Sequence, residues 1–356
     1  MVDDLPPPVE NPVITYEDGK IVLKVWQKDG KKHRENDEPA IIRFRDGQVV
    51  EEEWYINGKY HRENDKPADI EYKHGKIVRE RWLKNGKIHR DHDKPSIVTS
   101  MDGQIIEEVW YKNGKNYRGK DKPARIGYKD GKIVEEEWHN KRGNIHRNNW
   151  EQPSHITYEN GKIVKEEWYY NGYKGRGDGE EPSVITYQHG KIVKEEWYEM
   201  GDLHRDDDEP AVTEYLNGSI IRKEWYVDGK LSRDCPGPAI IHYDDGKIIK
   251  EEWYDWDGEL NRSVDEPAII HYKDGKIVKE EWYNDGKLHR YHDEPAIIIH
   301  NDDGTTTENF YWRGKSYSQP KEGICDICFL QTKLRQVLVE DNHVYYACCQ
   351  CRKLCN

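Results

Sequence analysis

The chain has 356 residues, 35% of them charged and 35% hydrophobic, with a net charge of −13. An acidic surface disfavours nucleic acid and anionic membranes, which both select a positive patch. No apolar run reaches the roughly 18 residues of a transmembrane helix, and Met1 to Pro8 has neither the basic nor the apolar part of a secretory signal.

The aromatic content is skewed, with 24 Tyr and 13 Trp against 3 Phe. These side chains recur at fixed intervals, which argues for ordered, half-solvated sheets and against a disordered polar chain. Residues 1–11 read as a Pro-rich extension carrying Pro6, Pro7 and Pro8. From residue 12 to 320 one unit of about 28 residues recurs eleven times. A clear copy begins at Pro267-Ala268-Ile269-Ile270-His271-Tyr272 and turns at Asp274-Gly275. It continues through Lys276 to Trp282-Tyr283, turns again at Asp285-Gly286, and ends with Leu288-His289-Arg290 before an acidic loop.

Three columns run through the copies. Trp stands at 26, 54, 82, 110, 138, 168, 197, 225, 253 and 282; the eleventh copy reverses the order to Tyr311-Trp312. Gly stands at 19, 47, 75, 103, 131, 161, 190, 218, 246, 275 and 304, each time after Asp, Asn or His. Arg stands at 34, 62, 90, 118, 147, 176, 205, 233, 262 and 290.

Asx-Gly between β-branched runs is a strong hairpin signal, because a type I′ turn needs positive φ at both central residues. Two such turns per copy predict a meander of three short strands, with Pro at the entry to the first. In the middle strand Val278, Glu280 and Trp282 should share one face, and Ile277, Glu281 and Tyr283 the other. The fold class is therefore all-β: a β-solenoid-like stack of three-stranded meanders forming an elongated array. A propeller blade needs four strands and about 40 residues, more than this unit offers.

Within the repeat, His-Arg is followed by Asp and Pro, as in His61-Arg62 with Asp65 and His89-Arg90 with Asp93. Arg and Asp three residues apart would close the loop by a bidentate hydrogen bond, and the Arg could stack on an aromatic ring of a neighbouring copy. A feature repeated ten times is expected to be construction, not catalysis. Asp206-Asp207-Asp208-Glu209 offers carboxylates suited to calcium but lacks the Gly-punctuated ligand loop. Glu pairs such as Glu166-Glu167 and Glu280-Glu281 point to opposite faces and are read as solvated strand charge. The 16 His are read as surface or cross-strand residues, the alternative being a ladder that titrates near pH ~6. There is no nucleophile motif and no phosphate loop, so an enzyme is not expected.

The run Trp54-Tyr55-Ile56-Asn57-Gly58-Lys59-Tyr60-His61-Arg62-Glu63-Asn64-Asp65-Lys66-Pro67-Ala68 resembles the repeats of MORN-like variant proteins encoded by giant DNA viruses of amoebae. The resemblance covers roughly residues 12 to 318. It implies a viral protein, located in the particle or in the infected host cytoplasm. The unit is longer than a MORN unit, so neither lipid binding nor dimer behaviour is carried over.

Six of the seven cysteines fall in residues 321–356. Cys325-x-x-Cys328 and Cys348-x-x-Cys351 are separated by 19 residues, a spacing that points to one tetrahedral Zn2+. Cys349, Cys355 or His343 could stand in for one ligand. Val337-Leu338-Val339 and His343-Val344-Tyr345-Tyr346 read as a hairpin between the two pairs, so the module resembles a zinc ribbon. The expected function is a non-enzymatic structural or assembly protein whose array binds other proteins or further copies of itself. The alternative is a soluble adaptor whose zinc module docks a second partner.

Overall fold

The structure is a computed structural model that describes residues 11–176, 179–263, 265–292 and 294–317, together with the backbone of the strands Lys321–Ile324, Gln331–Glu340 and His343–Ala347. No helix occurs among the described residues. The chain divides into two compact units, Met1–Gly177 and Asp178–Asn356.

Most copies fold into two hairpins, not one meander; the last copy keeps the expected three strands, Ile297–His300, Thr306–Trp312 and Lys315–Tyr317. In the Trp54 copy the long hairpin is Ile41–Arg45 with Gln48–Glu53, and the short one is Tyr55–Ile56 with Lys59–Tyr60. The expected three strands are four because the middle one breaks at the Trp. The Trp54 N–H donates to the Ala68 carbonyl at 2.8 Å while its own carbonyl accepts from His61 N–H at 3.1 Å. The backbone thus leaves the sheet at Trp54. In the Trp138 and Trp253 copies, where the second turn is longer, the short hairpin shrinks to the single bridges His139↔Ile145 and Tyr254↔Leu260.

Both turns have the expected geometry. Asp46 and Gly47 have φ of 50° and 77°, and Asn57 and Gly58 of 49° and 78°. Each pair closes a two-residue loop, since Arg45 faces Gln48 and Ile56 faces Lys59. Type I′ turns match the right-handed twist of the flanking strands.

The faces of the long hairpin differ from the expected alternation. Tyr272 pairs with Ile277 but His271 pairs with Lys279, so Val278 is an extra residue. This β-bulge inverts the alternation past that point. Ile277 therefore lies on the face of Glu280, not on that of Glu281.

In the first unit the long hairpins pair in chain order. Lys20–Val25 pairs with Ile41–Arg45, Gln48–Glu53 with Asp69–Lys73, and Lys132–Glu137 with His155–Glu159. In the second unit Lys191–Glu196 pairs with Val212–Leu216, and Lys276–Glu281 with Ile297–His300. All these pairings are antiparallel. The core is shared between successive copies: Trp54 packs on Ala68, Ile70, Tyr72 and Leu83 of the following copy. Ala40, Ala68, Ala124, Ala211, Ala268 and Ala296 have no exposed surface. That small-residue column is what lets the next strand approach the Trp.

Candidate functional site at the junction between copies

The acidic loop that ends each copy is the chemically densest part of the repeat. Asn64 and Asp65 both adopt left-handed backbone, with φ of 60° and 56°. Most residues resist this conformation by about 1–2 kcal/mol, Asn and Asp less so. Two such residues in succession turn Asp65 towards the following copy. There its carboxylate accepts from Arg90 Nε at 2.7 Å, Arg90 Nη2 at 3.1 Å and Lys94 Nζ at 2.6 Å. Its backbone carbonyl accepts from Trp82 Nε1 at 3.0 Å. The Arg90 guanidinium lies 3.7 Å from the Trp82 ring centroid and donates through Nη1 to the Pro95 carbonyl at 3.2 Å. One aspartate thus ties indole, guanidinium and ammonium groups of the next copy together.

The clasp recurs. Asp37 holds Trp54, Arg62 and Lys66; Asp93 holds Trp110, Arg118 and Lys122. Asp121, Asp208 and Asp265 hold the Trp and Arg of the copies at Trp138, Trp225 and Trp282. The paired guanidinium, with help from the Lys, holds the carboxyls of Asp37, Asp65 and Asp93 down to about 2.

This corrects two expectations. The Arg pairs with an Asp 25 residues earlier, in the preceding copy, and not with the Asp three residues later. The ring beneath it belongs to its own copy, not a neighbour. The calcium reading also loses a ligand, because both oxygens of Asp208 are taken by Arg233 at 2.6 Å.

Not every junction has the clasp. The loop before the Trp168 copy, Asn148-Asn149-Trp150-Glu151-Gln152, contains no Asp. The indole N–H of Trp168 is buried without a partner among the described residues. Ahead of the Trp253 copy stands Cys235-Pro236, and Arg262 pairs instead with its own loop's Glu266 at 2.7 Å.

The histidines form a second link between copies. His61 Nδ1 accepts from the Asn85 N–H of the following turn at 3.3 Å, while Gly86 N–H donates to the Tyr60 carbonyl at 2.9 Å. An accepting Nδ1 leaves the proton on Nε2, which faces Glu63 at 2.7 Å. His33, His89, His146, His204 and His289 repeat the Nδ1 bond to the following turn.

The Glu pairs point to opposite faces, as expected, but are not solvated charge. Glu53, Glu167 and Glu281 are 3%, 5% and 7% exposed. Burial pushes the Glu281 carboxyl up, yet His271 and Lys279 outweigh it and bring it to about 2. In several pairs the other Glu accepts a tyrosine hydroxyl from the next copy: Tyr72 to Glu52, Tyr158 to Glu136 and Tyr272 to Glu251, each at 2.6 Å, while Glu280 meets His300 at 2.9 Å.

Three groups of described residues gather potential metal ligands: Glu135 with Glu137 and His155, Glu51 with Asp69 and Glu71, and Glu199 with His204 and Asp206. In the first, Arg125 already bridges both Glu at 2.7 and 2.8 Å. In the second, Arg81 pairs with Asp69 and Glu71. An arginine there supplies the charge a cation would bring. The predicted zinc ligands Cys325, Cys328, Cys348 and Cys351, with Cys349 and Cys355, lie outside the described residues, and of His343 only the backbone is described. Cys235 is an exposed free thiol.

The clasp, the His link and the tyrosine ladder are spread across sequence distances of 17 to 29 residues. Only the two-turn pattern and the Trp and Arg columns mark them in the sequence. No protein-family model matches the chain, and no curated protein matches it in sequence.

Proposed function

We propose that the chain is a non-enzymatic structural or assembly protein that uses its β-repeat array as a protein-binding scaffold. The observation that carries this reading is the use made of the repeated reactive groups. Asp, Arg, Lys, His and Tyr side chains that would serve catalysis are committed instead to joining one copy to the next. A scaffold built this way presents the same surface again and again, which suits partners that bind along several copies. The resemblance of the repeats to those of giant DNA viruses of amoebae supports a role in particle assembly or in the infected cytoplasm.

We also infer that Cys325, Cys328, Cys348 and Cys351 bind one Zn2+. Lys321–Ile324 and His343–Ala347 both run antiparallel to Gln331–Glu340, with Ile324 opposite Gln331 and Ala347 opposite Arg335. The two strand ends thus face the same end of the small sheet, and a Cys-x-x-Cys pair begins one residue after each. Four thiolates suit a tetrahedral zinc, whose binding free energy would stabilise a module this small.

Cross-linking mass spectrometry of the protein purified with its stoichiometric partners tests the scaffold reading. The expected result is cross-links from the turn lysines of several copies, such as Lys76, Lys132, Lys191 and Lys276. Cross-links confined to the lysines of residues 321–356 would assign binding to the module and contradict it.

A further inference from the structure

The interface that joins successive copies is left half-built at each end of the repeats. At the first copy, Val13–Glu17 pairs only with Lys20–Val25 among the described residues. Val13, Ile14 and Tyr16 are 61%, 37% and 58% exposed. This strand reads Val-Ile-Thr-Tyr-Glu, and the interior strand His155–Glu159 reads His-Ile-Thr-Tyr-Glu. The interior strand uses its other edge to pair with the preceding copy: His155 with Glu137, Ile156 with Glu136 and Thr157 with Glu135. Tyr158 then donates its hydroxyl to Glu136 at 2.6 Å. Tyr16 occupies the place of Tyr158 and has no partner among the described residues.

The last copy supplies the complementary half. Thr306–Trp312 pairs with Ile297–His300 through Thr306, Thr307, Glu308 and Asn309. Ile298 faces Glu308 as Ile126 faces Glu136 in the preceding example. Glu308 is exposed, and no tyrosine reaches it among the described residues. An open strand edge with free N–H and carbonyl groups is a template for another strand.

We propose that the chain associates head to tail with a second copy, the outer edge of Val13–Thr15 pairing with Thr307–Asn309 of that copy. The register is the one the interior junctions use: Val13 opposite Asn309, Ile14 opposite Glu308 and Thr15 opposite Thr307, with the Tyr16 hydroxyl donating to Glu308. The interior also gives the hydrogen-bonding pattern. Trp138 N–H bonds to the Ser154 carbonyl at 2.8 Å, and hydrogen-bonded pairs alternate in an antiparallel ladder. The next such pair is therefore Glu136 with Ile156, so by equivalence Ile14 presents its N–H and carbonyl outward. The two surfaces differ, so the contact is heterologous and does not satisfy itself in a symmetric dimer. The proposal deepens the scaffold reading by naming the chain itself as one partner and the strand edges as the surface.

Sedimentation velocity of the full-length protein over about a hundredfold concentration range reads the association by mass action. The wild type should grow by whole chains as concentration rises. Ile14→Pro removes the outward N–H, and Glu308→Lys removes the acceptor; each alone should weaken association at least ~10-fold, with the circular dichroism unchanged. Each variant keeps one intact edge, so mixing the two should restore association but stop it at pairs. A wild type that stays a single chain throughout overturns the proposal, while array cross-links to a different partner would leave the scaffold reading standing. Variants that associate like wild type, or a mixture that does not form pairs, overturn the head-to-tail register.

Discussion

Replacing Asp65 with Ala removes a clasp and leaves its neighbours in place. The loss includes two charge-assisted bonds from Arg90 and one from Lys94. A hydrogen bond to a charged group contributes about 1.5–3 kcal/mol when well buried, but the Asp65 side chain is 35% exposed, which lowers the gain. The clasp itself should therefore contribute about 2 kcal/mol, with about 1 kcal/mol more lost because Ala tolerates left-handed backbone poorly. Asp102 isolates the second effect, since it has φ of 51° in an exposed turn and no side-chain partner among the described residues. Urea unfolding followed by Trp fluorescence, with hydrogen exchange of the amides around Trp82 and Arg90, compares the two variants. Asp65→Ala should cost about 3 kcal/mol in its own and the next copy, and Asp102→Ala about 1. Equal losses for the two would refute the claim that the carboxylate couples copies.

Further outcomes follow from the same geometry. Asp37, Asp65 and Asp93 are held at about 2, below the unfolded value of about 3.9, so their stabilisation is full above pH ~4 and fades as pH falls towards ~2. An acid titration by Trp fluorescence should show the clasped copies loosening in that window, and loosening complete by pH ~5 would contradict it. Trp82→Phe leaves the Asp65 carbonyl without its indole donor and should cost more, by about 1 kcal/mol, than Trp168→Phe, where no such bond exists; equal melting shifts would count against this. Trp168→Ala should still cost about 3–5 kcal/mol, since the ring is 5% exposed. Arg81→Val strands the buried Asp69 carboxylate, whose burial raises it to about 6, and should cost about 3–5 kcal/mol. Adding Asp69→Ile recreates the Ile97–Val109 pair of the next copy and should recover most of that loss in thermal melts. Metal analysis should find one zinc per chain, retained by Cys349→Ala and lost by Cys328→Ala; the reverse pattern would reassign the ligands.

The repeat period, both type I′ turns and the Trp column were legible because each rests on local chemistry. Asp-Gly declares its turn whatever surrounds it. The partner of Arg90 was not legible, because in a periodic chain Asp93 and Asp65 are both at a repeated offset from it. What decides between them is the left-handed Asn64-Asp65 pair, and Asn-Asp in a loop does not announce two positive φ values. The face of Ile277 was missed for a related reason: a bulge at Val278 changes the alternation without changing the residue pattern. Glu281 looked like surface charge because its neutralising partners, His271 and Lys279, stand on either side of that bulge and its turn. At the candidate zinc site the Cys spacing is the signal in the sequence, and the strand pairing that precedes each Cys pair adds to it.

A double-mutant cycle tests the inter-copy clasp most directly. Asp65 is paired once with Arg90, of the following copy, and once with Arg62, of its own. Unfolding free energies of the single and double Ala variants give each coupling. The clasp predicts about 2 kcal/mol between Asp65 and Arg90 and close to none between Asp65 and Arg62. Coupling to Arg62 with none to Arg90 would mean that each loop closes on itself and that the copies are not joined in this way.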